Sequence, residues 1–100
     1  MGAITELLRV LMRDKIVEEL REILIRDLKV DAVSVRELAA SAPLFGEGLG
    51  LDSLDAVELA FLMEKNFSVT IADMEQGQQA FESLKILAEF IMEKQPAPAA

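Results

Sequence analysis

The residues best suited to chemistry lie in the run Gly48-Leu49-Gly50-Leu51-Asp52-Ser53-Leu54-Asp55-Ala56-Val57-Glu58-Leu59. Ser53 follows a glycine-bearing loop and opens a segment of helical periodicity, which predicts an exposed hydroxyl at a helix start. A phosphodiester formed there would sit beside backbone N–H groups with no intrahelical partner and at the positive end of the helix dipole. Such a placement is worth about 0.3–1 kcal/mol at an exposed site. Asp52 and Asp55 oppose an anion at this point, so recognition is the role expected of them. The plainer reading is that Ser53 only caps the helix. An Asp-Ser-Leu tripeptide by itself does not decide between the two.

Other chemistry is closed off by composition. The chain has no cysteine and no histidine. Thiolate nucleophiles, disulfides and the commonest general base and zinc ligand are therefore missing. A Ser-His-Asp or Cys-His site cannot be assembled, and no enzymatic activity is expected. Gly46-Glu47-Gly48-Leu49-Gly50 is not a dinucleotide fingerprint, since Leu51 stands at the last glycine position and no strand precedes it. It also lacks the Gly-Lys-Ser/Thr ending of a phosphate-binding loop. Asp52 and Asp55, three residues apart, do not make a metal site by themselves.

The elements that must position Ser53 read as helices. Ile4, Leu8, Leu11, Ile16, Leu20, Leu24 and Leu28 recur at spacings of three to five residues. One apolar stripe on a long first helix is expected, widened by Leu7, Met12, Val17 and Ile23, with a possible break at Arg13-Asp14-Lys15. Ser34 with Glu37 three residues on is a capping-box pattern, which predicts a short turn through Ala40. Pro43 ends it. Leu44 to Leu51 then reads as a loop whose Leu44, Phe45, Leu49 and Leu51 pack on the core. A second strong helix is predicted from Asp52-Ser53 to about Asn66, with Leu59, Met63 and Phe67 as its core stripe and Leu62 beside them. Val69-Thr70-Ile71 has no partner strand and reads as loop. Asp73 with Gln76 caps a short, weak third helix carrying Gly77, and Ser83 caps a last helix with Leu84, Leu87, Ala88 and Ile91 on one face. The expectation is an all-α fold, a small four-helix bundle of three long helices and one short. Residues 1–15 extend its first helix, 16–94 form the domain, and 95–100 are a Pro/Ala-rich flexible tail.

Charge narrows the partners. Ten Lys and Arg against eighteen Asp and Glu leave a net charge of −8. A nucleic acid would repel such a chain, whereas basic protein surfaces attract it over roughly 8 Å at physiological salt. Acidity also simply keeps a small domain in solution. The longest apolar run near the middle is Leu59 to Met63, far short of a bilayer span. No signal peptide is apparent, and Glu6 stands where myristoylation wants Ser or Thr. A soluble, cytoplasmic monomer without membrane insertion is expected.

The run from Leu49 to Leu59 closely resembles the phosphopantetheine attachment motif of acyl carrier proteins. The order of elements is similar to that family's as well: long helix, long loop, acidic helix, short helix, closing helix. Phe45, Phe67, Ser83-Leu84 and Phe90-Ile91 fall where the family keeps similar residues, and the resemblance covers roughly Ile16 to Ile91. It implies that a phosphopantetheinyl transferase moves 4′-phosphopantetheine from coenzyme A onto Ser53. Acyl groups then ride as thioesters on the thiol of the arm, which the cysteine-free chain does not itself supply. Acyl-transfer and condensing enzymes of fatty-acid, polyketide or related lipid synthesis, with basic docking surfaces, are the implied partners.

The second helix then becomes the expected docking face. Leu54, Val57 and Phe61 stand at i, i+3 and i+7, away from Leu59, Met63 and Phe67, with Asp52, Asp55, Glu58 and Glu64 around them. Such a patch suits brief, steered encounters. The chain departs from the family pattern in several places. Lys65 and Asn66 follow Glu64, Ala72 stands where many members have proline, residues Met74 to Phe81 are rich in glutamine, and the first helix starts early. These departures suggest a carrier with its own dedicated enzymes. The alternatives are a peptidyl or aminoacyl carrier, and an unmodified helical interaction module that self-associates through its apolar N-terminal extension.

Overall fold

The computed structural model describes residues 2–94, Met74 by its backbone alone; the expectation for residues 95–100 lies outside the described residues. Five helices are found among them: α1 (Gly2–Arg26), α2 (Ala32–Glu37), α3 (Ser53–Phe67), α4 (Met74–Ala80) and α5 (Leu84–Lys94). The expected helical bundle is present. α1, α3, α4 and α5 are the four expected helices, and α2 is the short turn expected near Ser34. None of them is long and apolar enough to cross a membrane.

α1 differs from expectation in two ways. Arg13-Asp14-Lys15 does not break it, because the segment lacks Pro and Gly and nothing interrupts the i→i−4 ladder. Nor does it carry one apolar stripe. Leu11 and Leu20 are nine residues apart, about two and a half turns, which sets them on opposite sides. The lower half buries Ile16, Val17, Leu20, Ile23 and Leu24, whereas Ile4, Leu7, Leu8 and Leu11 are exposed.

The start of α2 also corrects the sequence reading. Its N-cap is Asp31, whose carboxylate accepts from the Ser34 N–H and from the Ser34 hydroxyl, both at 3.0 Å. The acid is the stronger acceptor and Ser34 becomes its donor, so the helix begins two residues before Ser34 and ends at Glu37. Arg21 of α1 fastens the far end of α2. Its guanidinium donates to the carbonyls of Val35 (2.6 Å), which also accepts from Leu38 N–H, and Leu38 (2.8 Å), at the end where a helix leaves carbonyls short of intrahelical partners.

The loop between α2 and α3 has no regular structure, yet it is held firmly. Lys85 N–H donates to Ala40 O at 2.8 Å, Leu44 N–H to Glu82 O at 3.2 Å and Leu49 N–H to Leu44 O at 3.2 Å. Leu44 and Leu51 are buried and Phe45 and Leu49 half-buried. Gly46 and Gly50 adopt φ of +63° and +72°, a region L side chains avoid. The loop therefore delivers the chain to α3 in one fixed direction.

α3 ends at Ser68 in the left-handed region, its N–H bonded back to Glu64 and Met63. Asp73 caps α4 by accepting from Gln76 N–H at 2.8 Å, and the Gln76 side chain returns a bond to Ala72 N–H. The buried Ser83 caps α5 through its hydroxyl on Ile86 N–H at 3.1 Å. Leu59, Met63, Leu84, Leu87 and Ile91 meet Leu20, Leu24, Val35 and Leu44 in one core.

Candidate functional site

Asp52 is the N-cap of α3, and Ser53 is its first residue. Asp52 Oδ1 accepts from the N–H groups of Leu54 and Asp55, and Asp55 Oδ2 accepts from Asp52 N–H, each at 3.0 Å. This reciprocal capping box changes two sequence expectations. The first-turn N–H groups of Leu54 and Asp55 are not free for a phosphate, because the aspartate already takes them. The two carboxylates also have a structural task beyond any recognition. Ser53 in turn is not the cap. It is exposed, and among the described residues its hydroxyl has no hydrogen-bond partner.

Ser53 stands at the rim of a groove of about 750 Å³, the size range of small-molecule sites. Along α3, Ser53, Ala56, Val57 and Ala60 line it, at i, i+3, i+4 and i+7, one side of a helix. Phe45 and Leu51 from the loop and Ile71, Gly77 and Phe81 from the α4 region form the opposite wall. Its polar rim carries Asp52, Asp73 and Glu82. The two alanines leave room that larger side chains would fill.

The sequence reading placed Ser53 at the helix start and missed the groove beside it. A signal was available: Ala56 and Ala60, four apart, separate the core face of α3 from its exposed apolar face. The opposite wall was not legible, because Ile71 and Phe81 reach the groove only through the paths of the loops around α4.

Leu54, Val57 and Phe61 are all well exposed, on the side of α3 away from the buried Leu59, Leu62, Met63 and Phe67. Glu58 and Glu64 are exposed beside them, Asp52 is exposed and Asp55 half-buried. Val57 sits at the seam, lining the groove and belonging to the exposed patch. Among the described residues no cluster of acidic side chains could hold a metal ion.

A family model described as "Phosphopantetheine attachment site" matches residues 18–91. The acyl carrier protein of Caulobacter vibrioides is 37% identical over 76 residues, 74% of this chain and 92% of that protein. That of Solidesulfovibrio magneticus is 42% identical over 64 residues, 64% of this chain and 76% of that protein. Acyl carrier protein AcpP of Rhizobium meliloti is 45% identical over 58 residues, 58% of this chain and 69% of that protein. No solved structure matches significantly. The match takes in the last third of α1, α2, the loop, α3, α4 and most of α5, so the chain belongs to the acyl carrier protein family, whose members bear 4′-phosphopantetheine and carry acyl groups without catalysing their reactions.

Proposed function

We propose that Ser53 is the residue that carries the 4′-phosphopantetheine, and that an acyl chain on it reaches into the groove beside α3. The observation that carries this reading is an exposed, unpartnered serine hydroxyl on the rim of an apolar groove. Once attached, the arm supplies a terminal thiol on which acyl groups ride as thioesters. The capping box holds Ser53 at a fixed place on a rigid helix. Asp52, by taking the nearby N–H groups, leaves the hydroxyl with no competing role. Ala56 and Ala60 leave space along the same side. An apolar lining suits an aliphatic acyl group better than an aminoacyl or peptidyl one, whose polar atoms would lose water without gaining partners.

As a family member the chain is loaded by a phosphopantetheinyl transferase and serves acyl-processing enzymes. We assign their docking to Leu54, Val57 and Phe61, with Asp52, Asp55, Glu58 and Glu64 steering basic surfaces onto them. One chain provides Ser53, groove and patch, so each copy is complete as a carrier, and its place of action is the cytoplasm.

The test is intact mass after incubation with coenzyme A, Mg²⁺ and a promiscuous phosphopantetheinyl transferase. One phosphopantetheine on the parent and none on Ser53→Ala is expected. An equal gain on Ser53→Ala would remove Ser53 from the role.

A further inference from the structure

The first half of α1 turns an apolar side away from the bundle. Its side toward the bundle carries Glu6, Arg9 and Arg13, which with Val10 face Glu89 and Met92 of α5. Arg13 lies 3.5 Å from the Glu89 carboxylate. Its outward side carries Ile4, Leu7, Leu8 and Leu11, exposed by 68, 57, 55 and 55%, whereas Leu20 on the opposite side is 1% exposed. None of these four residues lines the groove, and all precede the segment the family model matches. An amphipathic helix normally turns its apolar side to a core, and this segment turns it to water.

We infer that this face is covered by a second copy of the same chain, the two α1 segments running antiparallel. The spacing is self-complementary. Ile4, Leu7, Leu8 and Leu11 are separated by three, one and three residues, the same read from either end. A two-fold axis between positions 7 and 8 sets Ile4 against the partner's Leu11 and Leu7 against the partner's Leu8, the isologous contact of a symmetric dimer. Charge selects the direction. Farther along α1 the same face carries the exposed Lys15, Glu18 and Glu22, the two glutamates ion-paired with Arg21 and Arg36. A parallel pair would set each glutamate beside its own copy. In the antiparallel pair each lies at the opposite end of the contact from its own copy. A net charge of −8 argues against an anionic lipid surface as the occupant. Four apolar side chains per copy make less than a standard interface of about 1,600 Å², so the dimer is reversible. Ser53 and its groove stay free in both copies.

The experiment is sedimentation of the full chain over a range of concentrations. A monomer–dimer equilibrium is expected, shifting toward dimer as NaCl rises from about 50 mM to about 0.5 M and screens the repulsion between copies. Leu8→Asp should weaken association about 100-fold or more, since both copies lose the buried leucine and gain a charge. Leu7→Ser should weaken it less, and both variants should keep parental helicity and parental loading by the transferase. Because the chain has no cysteine, Ile4→Cys and Leu11→Cys report only themselves: oxidised together they should form the mixed disulfide faster than either forms its own. A monomer under every condition, or a dimer that Leu8→Asp leaves intact, overturns the proposal. Preferential Ile4→Cys homodisulfides overturn the antiparallel arrangement. A monomer that floats with phosphatidylcholine vesicles through Leu8 makes the face a lipid contact instead.

Discussion

Asp52 and Asp55 cap one another across the first turn of α3, each carboxylate accepting the other residue's N–H at 3.0 Å. Ser53 lies between them, spared the capping role that serines at helix starts commonly take. The acids beside the serine therefore fix the backbone that presents it. Any electrostatic contribution to partner recognition is added to that task.

Asp52→Ala should cost about 0.5–2 kcal/mol in urea unfolding, the usual loss for an N-cap. Asp55→Ala should cost less. The double variant should cost less than the sum, since each removes part of one reciprocal unit. Asp52→Asn separates cap from charge, because asparagine caps equally well. It should unfold like the parent, and a slower transferase reaction would then measure the charge alone. A large loss of stability in Asp52→Asn would contradict the capping account.

Two glycines should respond in opposite directions. A Cβ on Gly48 would run into the Pro43 carbonyl oxygen and lie 2.6 Å from its carbon, which backbone cannot yield to without moving. Gly48→Ala should destabilise by at least about 2 kcal/mol, and it should disturb Phe45 and Leu51 on the groove wall. The nearest neighbours of a Cβ on Gly77 are the side chains of Ile71 at 3.4 Å and Phe81 at 3.7 Å. Inside α4, Gly77→Ala should stabilise by about 0.5–1 kcal/mol through helix propensity and a stiffer unfolded chain. It should also narrow the groove, seen as a smaller stability gain when the longest acyl cargo is attached. Gly48→Ala with parental stability would mean that the loop does not approach as closely as described.

How much of this was legible depended on whether the cause was local. The start of α3, the cap of α4 at Asp73 and the cap of α5 at Ser83 follow from short-range chemistry and were read from sequence. The start of α2 was not, because Asp31 and Ser34 both suit a cap and the stronger acceptor decided. α1 misled for a different reason. The five-residue step from Leu11 to Ile16 moves the apolar side by more than a third of a turn, and a list of spacings hides that rotation. The groove needed Phe45, Ile71 and Phe81 to converge from three segments, which is tertiary information. Arg21 bonding to Val35 and Leu38 carbonyls is of the same kind, because nothing near Arg21 in sequence marks its target.

The two faces of α3 make a paired test. Phe61 is 64% exposed and Leu59 1%, two residues apart on one helix. Phe61→Ala should leave unfolding within about 0.5 kcal/mol of the parent while reducing turnover by enzymes that act on the loaded carrier. Leu59→Ala should cost about 2–5 kcal/mol through lost burial and the cavity left behind. Val57→Ala should combine a small stability change with effects on both docking and cargo, because Val57 belongs to the patch and to the groove. If Phe61→Ala proves as destabilising as Leu59→Ala, that side of α3 is part of the core and the docking assignment is wrong.

Acid should loosen α2 by a route that can be read at one amide. The N–H and hydroxyl of Ser34 hold the Asp31 carboxyl below its ordinary value. Its folded-state pKa is depressed, so its contribution is present above the unfolded pKa of roughly 3.9 and is lost as pH falls through the folded value. Asp27 is also held low, by its hydrogen bond from Arg26, so whole-molecule unfolding curves mix several acids. The Ser34 amide resonance isolates one. It should titrate with a midpoint below that of an unperturbed aspartate, and hydrogen exchange through α2 should accelerate over the same interval. Asp31→Asn keeps a cap without a titrating group, so the shift should vanish while α2 persists. A Ser34 midpoint at or above roughly 3.9 would show that the bonds seen at Asp31 do not favour its charged form.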